Sequence, residues 1–364
     1  MDAAALAGAK MFDNEDFTDA DIEERAQRFF AAHFTHMPVS GVTVPTPVIT
    51  VTRATGEVDV AVNVSVATTF GQIAGINQFN FPRSTRVKYD QKRIELAMVL
   101  DITGSMCDPC DKIDGLKAAA QLLVANLINP QVPYGLVRIG IVPYSASVNA
   151  GGFAVAASGG GSTDNCVVER AGAAGVTDAP AAAQPLGTSD SGQNVKYACP
   201  STPIIAMTPD RPTLETYIAG LTTGGWTAGH IGLGWGWYMI SHNWSSFWPV
   251  ASRPRTPAPN VVKAVLLMTD GEFNTSYVPG AGMNETDVRV ANSSPEQTSR
   301  LCANMKAQDI IVYTVAFQAP GQAHQLLRDC ATSNGHAFRA DNAGELASAF
   351  RTISERLAAL RVTL

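Results

Sequence analysis

The sequence predicts two units: a small α+β unit over residues 1–91 and a doubly wound, Rossmann-like α/β domain over 92–364. Three observations predict it. Apolar runs without alternation recur at 94–100, 137–142, 261–268 and 310–316, the pattern of strands buried on both faces of a parallel sheet. Stretches of helical period separate them at 113–127, 214–221, 228–241, 295–307 and 323–332, and alternating strand and helix gives a sheet with helices on both sides. Before residue 92 the period is two, as in a sheet with one wet face.

In the first unit, Phe12, Phe17, Ile22, Ala26, Phe29, Phe30 and Phe34 recur at helical spacing with acidic residues opposite, which predicts one amphipathic helix. Residues 48–53 and 58–66 alternate as strands around a turn at 54–57. A short helix is expected at 69–74 and a returning strand at 83–89. The unit has no His/Cys cluster and no phosphate loop. The small residues of Asp2–Ala9 read as a helix continuing from something upstream, with a membrane anchor ahead of it, an ordinary frayed N-terminus being the alternative.

In the second unit, 337–339 reads as a last edge strand and 343–360 as a closing helix. Residues 149–205 interrupt the alternation. They are rich in Gly, Ala, Ser and Pro and are expected to form a loop-rich surface insertion, tied at its base by Cys166 and Cys199.

A hydrophobic fraction of 46% is enough for a large core, and a formal net charge of -6 excludes the basic field of a nucleic-acid binder. No stretch approaches the roughly 20 apolar residues of a transmembrane helix. Six cysteines allow fifteen pairings, which the sequence does not fix; spacing favours three local pairs, Cys107/Cys110, Cys166/Cys199 and Cys302/Cys330, and an even count with local partners fits an oxidising compartment. Six buried, reduced thiols are the alternative.

Three strand ends carry the chemistry. They are Asp101-Ile102-Thr103-Gly104-Ser105, the loop Thr222-Thr223-Gly224-Gly225-Trp226-Thr227, and Met268-Thr269-Asp270-Gly271-Glu272. In a doubly wound sheet, ligands bind beyond the carboxyl ends of the strands. Asp101, Thr103, Ser105, Thr227 and Asp270 are oxygen donors that such loops bring together, the set a hard cation takes along with water. Taken separately, these are helix-capping residue types.

Asp101-x-Thr103-x-Ser105, the isolated Thr227 and Asp270-Gly271 together resemble the metal-ion-dependent adhesion site of von Willebrand factor A domains. The resemblance spans about 92–362, apart from 149–205. It implies that Thr103, Ser105 and Thr227 offer hydroxyls to a divalent cation, foremost Mg²⁺, with Mn²⁺ or Ca²⁺ as alternatives. It also implies that Asp101 and Asp270 act mostly through water, and that an open position takes a carboxylate from a partner protein. Thr103 stands where serine is commoner. It keeps the oxygen and adds a methyl group. The segment Asp2–Ala9, the ending 353–364, Thr269-Asp270-Gly271-Glu272 and the Cys302/Cys330 pair resemble TadG-like proteins, associated with the bacterial tight-adherence (Flp) pilus. That resemblance implies a membrane-anchored envelope protein whose domain faces the periplasmic or extracellular side, with pilus or host-surface partners.

Other features are weighed against this reading. Cys107-Asp108-Pro109-Cys110 reads as a loop-stiffening disulfide, a redox pair being the alternative. Trp235 and Tyr238 read as core. Trp226, Trp244, Phe247 and Trp248 read as a partner surface beside the metal. His230 reads as a structural histidine. No HExxH, Gly-x-Ser-x-Gly or Walker motif occurs, so a binding module is expected and not an enzyme. The competing functions are a thiol oxidoreductase through Cys107/Cys110, a metal hydrolase with Glu272 as base, and a scaffold with a vestigial site.

Overall fold

The computed structural model describes residues 1–13, 17–34, 40–53, 55–108, 110–162, 164–188, 199–277 and 291–363. Ala54, His36, Pro109 and the middle of the 149–205 segment lie outside the described residues. The chain divides into two compact units, Met1–Gln91 with Val362–Leu364, and Lys92–Arg361.

The first unit packs helices α1 (Asp2–Ala9) and α2 (Asp19–Phe34) on a sheet of β1 (Val42–Thr43), β2 (Val48–Thr52), β3 (Glu57–Ala67) and β4 (Gln78–Lys88). A short pair, β5 (Asp90–Gln91) with β15 (Val362–Thr363), belongs to the same unit. Its core joins Ala5, Ala9, Ile22, Ala26 and Phe30 to Val58, Val60 and Val62. The phenylalanine run does not make one helix. Thr18 and Asp21 cap each other, with the Thr18 N–H donating to Asp21 Oδ2 at 2.7 Å and the Asp21 N–H to Thr18 Oγ1 at 3.3 Å. This reciprocal cap starts α2 afresh, so Phe12 falls in a separate 3₁₀ turn and Phe17 stays exposed. The returning strand β4 begins earlier than its alternation indicates, and the helix expected at 69–74 is a 3₁₀ turn, Gly71–Ala74.

The second unit is a doubly wound α/β domain. Its strands are β6 (Arg93–Asp101), β7 (Val137–Tyr144), β11 (Ile205–Thr208), β12 (Val261–Thr269), β13 (Ile311–Phe317) and β14 (Ala337–Ala340), in the order β11-β7-β6-β12-β13-β14. All pairs are parallel except the edge strand β11. From β6 the chain winds to one side through β7, then crosses to β12 on the other. On one face, α3 (Asp111–Leu127), α5 (Arg211–Ala219) and α9 (Ala343–Arg361) bury Leu96, Met98 and Leu100. On the other, α6 (Gly229–Ile240), α7 (Ser294–Lys306) and α8 (Gly321–Cys330) bury Ala97 and Val99. Both faces of β6 are covered, which is why its apolar run does not alternate.

Every residue of α6 is buried. A Cβ at Gly232 would lie 2.7 Å from the ring of Tyr144, and one at Gly236 would lie 2.6 Å from Val99 Cγ2. Glycine here lets the helix rest directly on the sheet.

The 149–205 segment is more than a surface loop. It forms β8 (Val148–Asn149), α4 (Ala154–Ala157), β9 (Cys166–Val168) and β10 (Gly187–Thr188), with the three strands paired in the order β10-β9-β8. Val148, Val167, Val168, Val176 and Leu186 join the same core as α6 and α7. Its scattered apolar residues reach a core only through partners far along the chain.

Candidate metal centre

Strands β6 and β12 are neighbours, with Leu100 beside Met268, and the winding reverses between them. Asp101 and Asp270 therefore stand at the topological switch point, where such sheets bind ligands. Asp101 is fully buried. Its Oδ1 accepts the Thr103 N–H at 2.8 Å, and its Oδ2 accepts the Thr269 hydroxyl at 2.6 Å and the Tyr144 hydroxyl at 3.3 Å. Burial pushes its pKa up to about 6, and the nearby charge of Asp270 pushes the same way against the hydrogen bonds from Thr269 and Thr103. Two buried carboxylates that repel each other make an environment that a bound cation relieves.

The hydroxyls lie against this pair. Ser105 Oγ is 3.0 Å from Thr103 Oγ1 and donates to Asp270 Oδ1 at 2.7 Å. Lys112 Nζ donates to Asp270 Oδ2 at 2.9 Å. The loop before Thr227 is fastened to the first loop by the Gly224 N–H to Ile102 O at 2.8 Å and the Gly104 N–H to Gly225 O at 3.0 Å. Thr227 itself is fixed by Asn274, whose Oδ1 accepts the Thr227 N–H at 3.1 Å. A Cβ at Gly271 would meet both Ser105 Oγ and Thr227 Oγ1 at 3.9 Å, so the two hydroxyls border one small space that this glycine leaves open. A hollow of about 530 Å³ opens there, lined by Thr103, Ser105, Trp226, Thr227, Glu272 and Asn274 among others.

The structure thus brings Thr103, Ser105 and Thr227 around one opening, with the buried Asp101 and Asp270 behind them. No group of three or more His, Cys, Asp or Glu side chains stands ready for a metal among the described residues. The donor set is three hydroxyls and two carboxylates, which suits a hard oxygen-seeking cation and no soft one. Lys112, Tyr144, Thr269 and Asn274 escape sequence reading. Thr269 adjoins Asp270 and was within reach; the others touch the site only through the fold.

Of the four aromatic residues expected to form a partner surface, Trp244 and Trp248 are buried, at 0% and 2% exposed, and Phe247 packs half-buried against the core. Trp244 stacks on Tyr238 with centroids 4.3 Å apart and donates its indole N–H to Asp178 O at 3.1 Å; Trp248 donates to Tyr238 O at 3.0 Å. The 149–205 segment supplies Asp178 and also Arg170, which lies over Tyr238. Trp244 is core for that reason, and Trp248 packs on Phe153 of the same segment, with ring centroids 5.0 Å apart. Trp226, 44% exposed on the wall of the hollow, remains on the surface. His230 is buried, with Nδ1 2.7 Å from Ser294 Oγ. All six cysteines pair, as Cys107–Cys110, Cys166–Cys199 and Cys302–Cys330.

No protein-family model matches the chain, and no curated protein matches it in sequence. Among solved structures it is similar to the von Willebrand factor domain of the type V pili tip protein Mfa5 from Porphyromonas gingivalis, at 13% identity and a TM-score of 0.47, over 75% of this chain and 98% of that one. It is similar to the pilus adhesin SpaC from Lactobacillus rhamnosus GG at 13% identity and a TM-score of 0.44, over 88% of this chain and 34% of that one. The chain thus spans about a third of that adhesin's length. Proximal thread matrix protein 1 from the mussel byssus, in a structure with a zinc-occupied MIDAS motif, is similar at 13% identity and a TM-score of 0.39, over 73% and 46% of the two chains.

Proposed function

We propose that the second unit is a von Willebrand factor A-type module that binds a divalent cation, foremost Mg²⁺, and through it a carboxylate of a partner protein. The observation that carries this reading is the meeting of the Thr103, Ser105 and Thr227 hydroxyls with the Asp101 and Asp270 carboxylates at the switch point of the sheet. Thr103, Ser105 and Thr227 would hold the cation directly. Asp101 and Asp270 would supply negative charge, largely through water, and the hollow leaves room for a ligand oxygen. Trp226 stands on its wall as an aromatic contact for the partner.

The role we assign is adhesion or assembly in a cell-envelope pilus system of the tight-adherence type. The protein would be membrane-anchored and would face the periplasm or the exterior, with pilus or host-surface proteins as partners. Three disulfides support an oxidising compartment. Among the described residues no helix is long and apolar enough to cross a membrane.

Isothermal titration with MgCl₂ and MnCl₂ tests the site. The expected result is one site per chain, abolished by Asp101→Ala or Asp270→Ala. An absence of binding to the wild type overturns it. Glu272 on the wall of the same hollow supports a second reading, a metal-assisted hydrolase. Turnover of model esters or phosphoesters that Glu272→Gln removes would favour it.

A further inference from the structure

Asp101 and Asp270 are not equivalent. Asp101 is held by neutral donors, the Thr103 N–H and the Thr269 and Tyr144 hydroxyls. Asp270 accepts one neutral donor, Ser105 Oγ, and one cation, Lys112 Nζ at 2.9 Å. Both partners of that ion pair are sheltered, with 13% of the Lys112 side chain and 0% of Asp270 exposed. Lys112 lies in the first turn of α3 and reaches a carboxylate 158 residues away in sequence. An ion pair this sheltered is weakly screened, so the charge of Lys112 is felt throughout the cluster.

We propose that Lys112 sets the charge of the metal site and thereby its preference for an anionic ligand. The inference rests on the divalent-cation reading above. Two carboxylates and one ammonium leave a single net negative charge, with Glu272 partly exposed on the wall outside this cluster. A divalent cation then makes the loaded cluster net positive, which attracts a partner carboxylate. Without Lys112 the loaded cluster would be neutral. Lys112 therefore trades cation affinity for ligand affinity. A lysine that only propped Asp270 in place would do the opposite, since its loss would weaken cation binding.

Wild type, Lys112→Met, Lys112→Gln and Lys112→Arg, each checked for folding by circular dichroism, are titrated with MgCl₂ in a calorimeter. The methionine and glutamine variants should bind Mg²⁺ roughly tenfold tighter, the scale of one charge removed from a sheltered site, and the arginine variant should match wild type. Glutamine can still donate to Asp270 without a charge, so it separates charge from support and stands in if methionine impairs folding. In a second measurement, the Mg²⁺-saturated wild type should gain thermal stability from sodium acetate beyond that from equal sodium chloride, and the neutral variants should not. Unchanged or weaker Mg²⁺ binding in both neutral variants, or an acetate response equal to wild type, overturns the proposal and leaves the metal reading standing. A wild type that binds no Mg²⁺ brings down both.

Discussion

Glu169 and His230 lie 3.5 Å apart, Oε1 to Nε2, both buried beneath the loop that follows β12. Glu169 comes from the end of β9 and His230 from the first turn of α6. The same Glu169 oxygen also accepts the Tyr277 N–H and the Ser276 hydroxyl. One carboxylate therefore fastens the 149–205 segment, α6 and the loop downstream of Asp270 together.

This pair makes stability sensitive to acid. Burial alone would raise the Glu169 pKa, but the His230 charge and the hydrogen bonds outweigh it and hold the carboxyl at about 2, against an ordinary 4.5. A depressed folded-state pKa contributes stability that is fully present above the unfolded value. That contribution fades as pH falls from about 4.5 toward 2. Glu169→Gln should lower stability at pH 5.5 by on the order of 3 kcal/mol, and the loss should shrink toward pH 3. Urea unfolding at the two pH values checks it; an equal loss at both would count against the ion pair.

Gly232→Ala should act on both the core and the site. The added methyl would meet Cδ1, Cγ and Cβ of Tyr144 at 2.7–2.9 Å. Cβ belongs to the strand side of that residue and gives little, so overpacking of about 1–3 kcal/mol is expected. Because the Tyr144 hydroxyl reaches Asp101 Oδ2, displacement of the ring should also weaken Mg²⁺ binding. Thermal unfolding and calorimetry on the same variant test the two effects. Lost stability with unchanged Mg²⁺ affinity would show that Tyr144 does not support Asp101.

The disulfides should rank by the loop each one closes. Cys166–Cys199 and Cys302–Cys330 span 33 and 28 residues, and Cys107–Cys110 only 3. Loop entropy assigns about 3.5–4 kcal/mol to each long bridge and about 2 kcal/mol to the short one. Paired Cys→Ser variants in denaturant should follow that order. A Cys107/Cys110 double variant losing as much as the others would mean that the bridge also holds native packing beside Ser105.

What the sequence revealed divides along one physical line. β6, β12 and β13 were legible because strands buried on both faces leave unbroken apolar runs, and a carboxylate ending such a run is conspicuous at Asp101 and Asp270. β11, only Ile205–Thr208, is too short to show a period. Val167 and Val176 looked like isolated residues in a polar loop because the apolar surface covering them belongs to α6 and α7. Trp244 and Trp248 follow a helix and so looked exposed, whereas Asp178 and Arg170 cover the first and Phe153 the second. The grip of Lys112 on Asp270 joins residues that no local pattern connects.

Ser105→Ala and Thr269→Val should separate the two jobs in the site. Thr269 is buried and donates to Asp101 Oδ2 at 2.6 Å. Valine keeps the shape and removes the proton, leaving a buried carboxylate oxygen short of a donor, so the metal-free fold should lose about 1–3 kcal/mol. Ser105 is exposed at the rim, but its hydroxyl donates to the buried Asp270 Oδ1 at 2.7 Å, so alanine there should also cost the metal-free fold about 1–3 kcal/mol. It removes a proposed cation ligand as well, and Mg²⁺ affinity should fall by more than the roughly 10–100-fold that an outer-sphere partner contributes. Chemical denaturation without metal and titration with Mg²⁺ read the two quantities separately. If Ser105→Ala binds Mg²⁺ like wild type, the hydroxyl is not a ligand, and the donor set must be redrawn around Thr103 and Thr227.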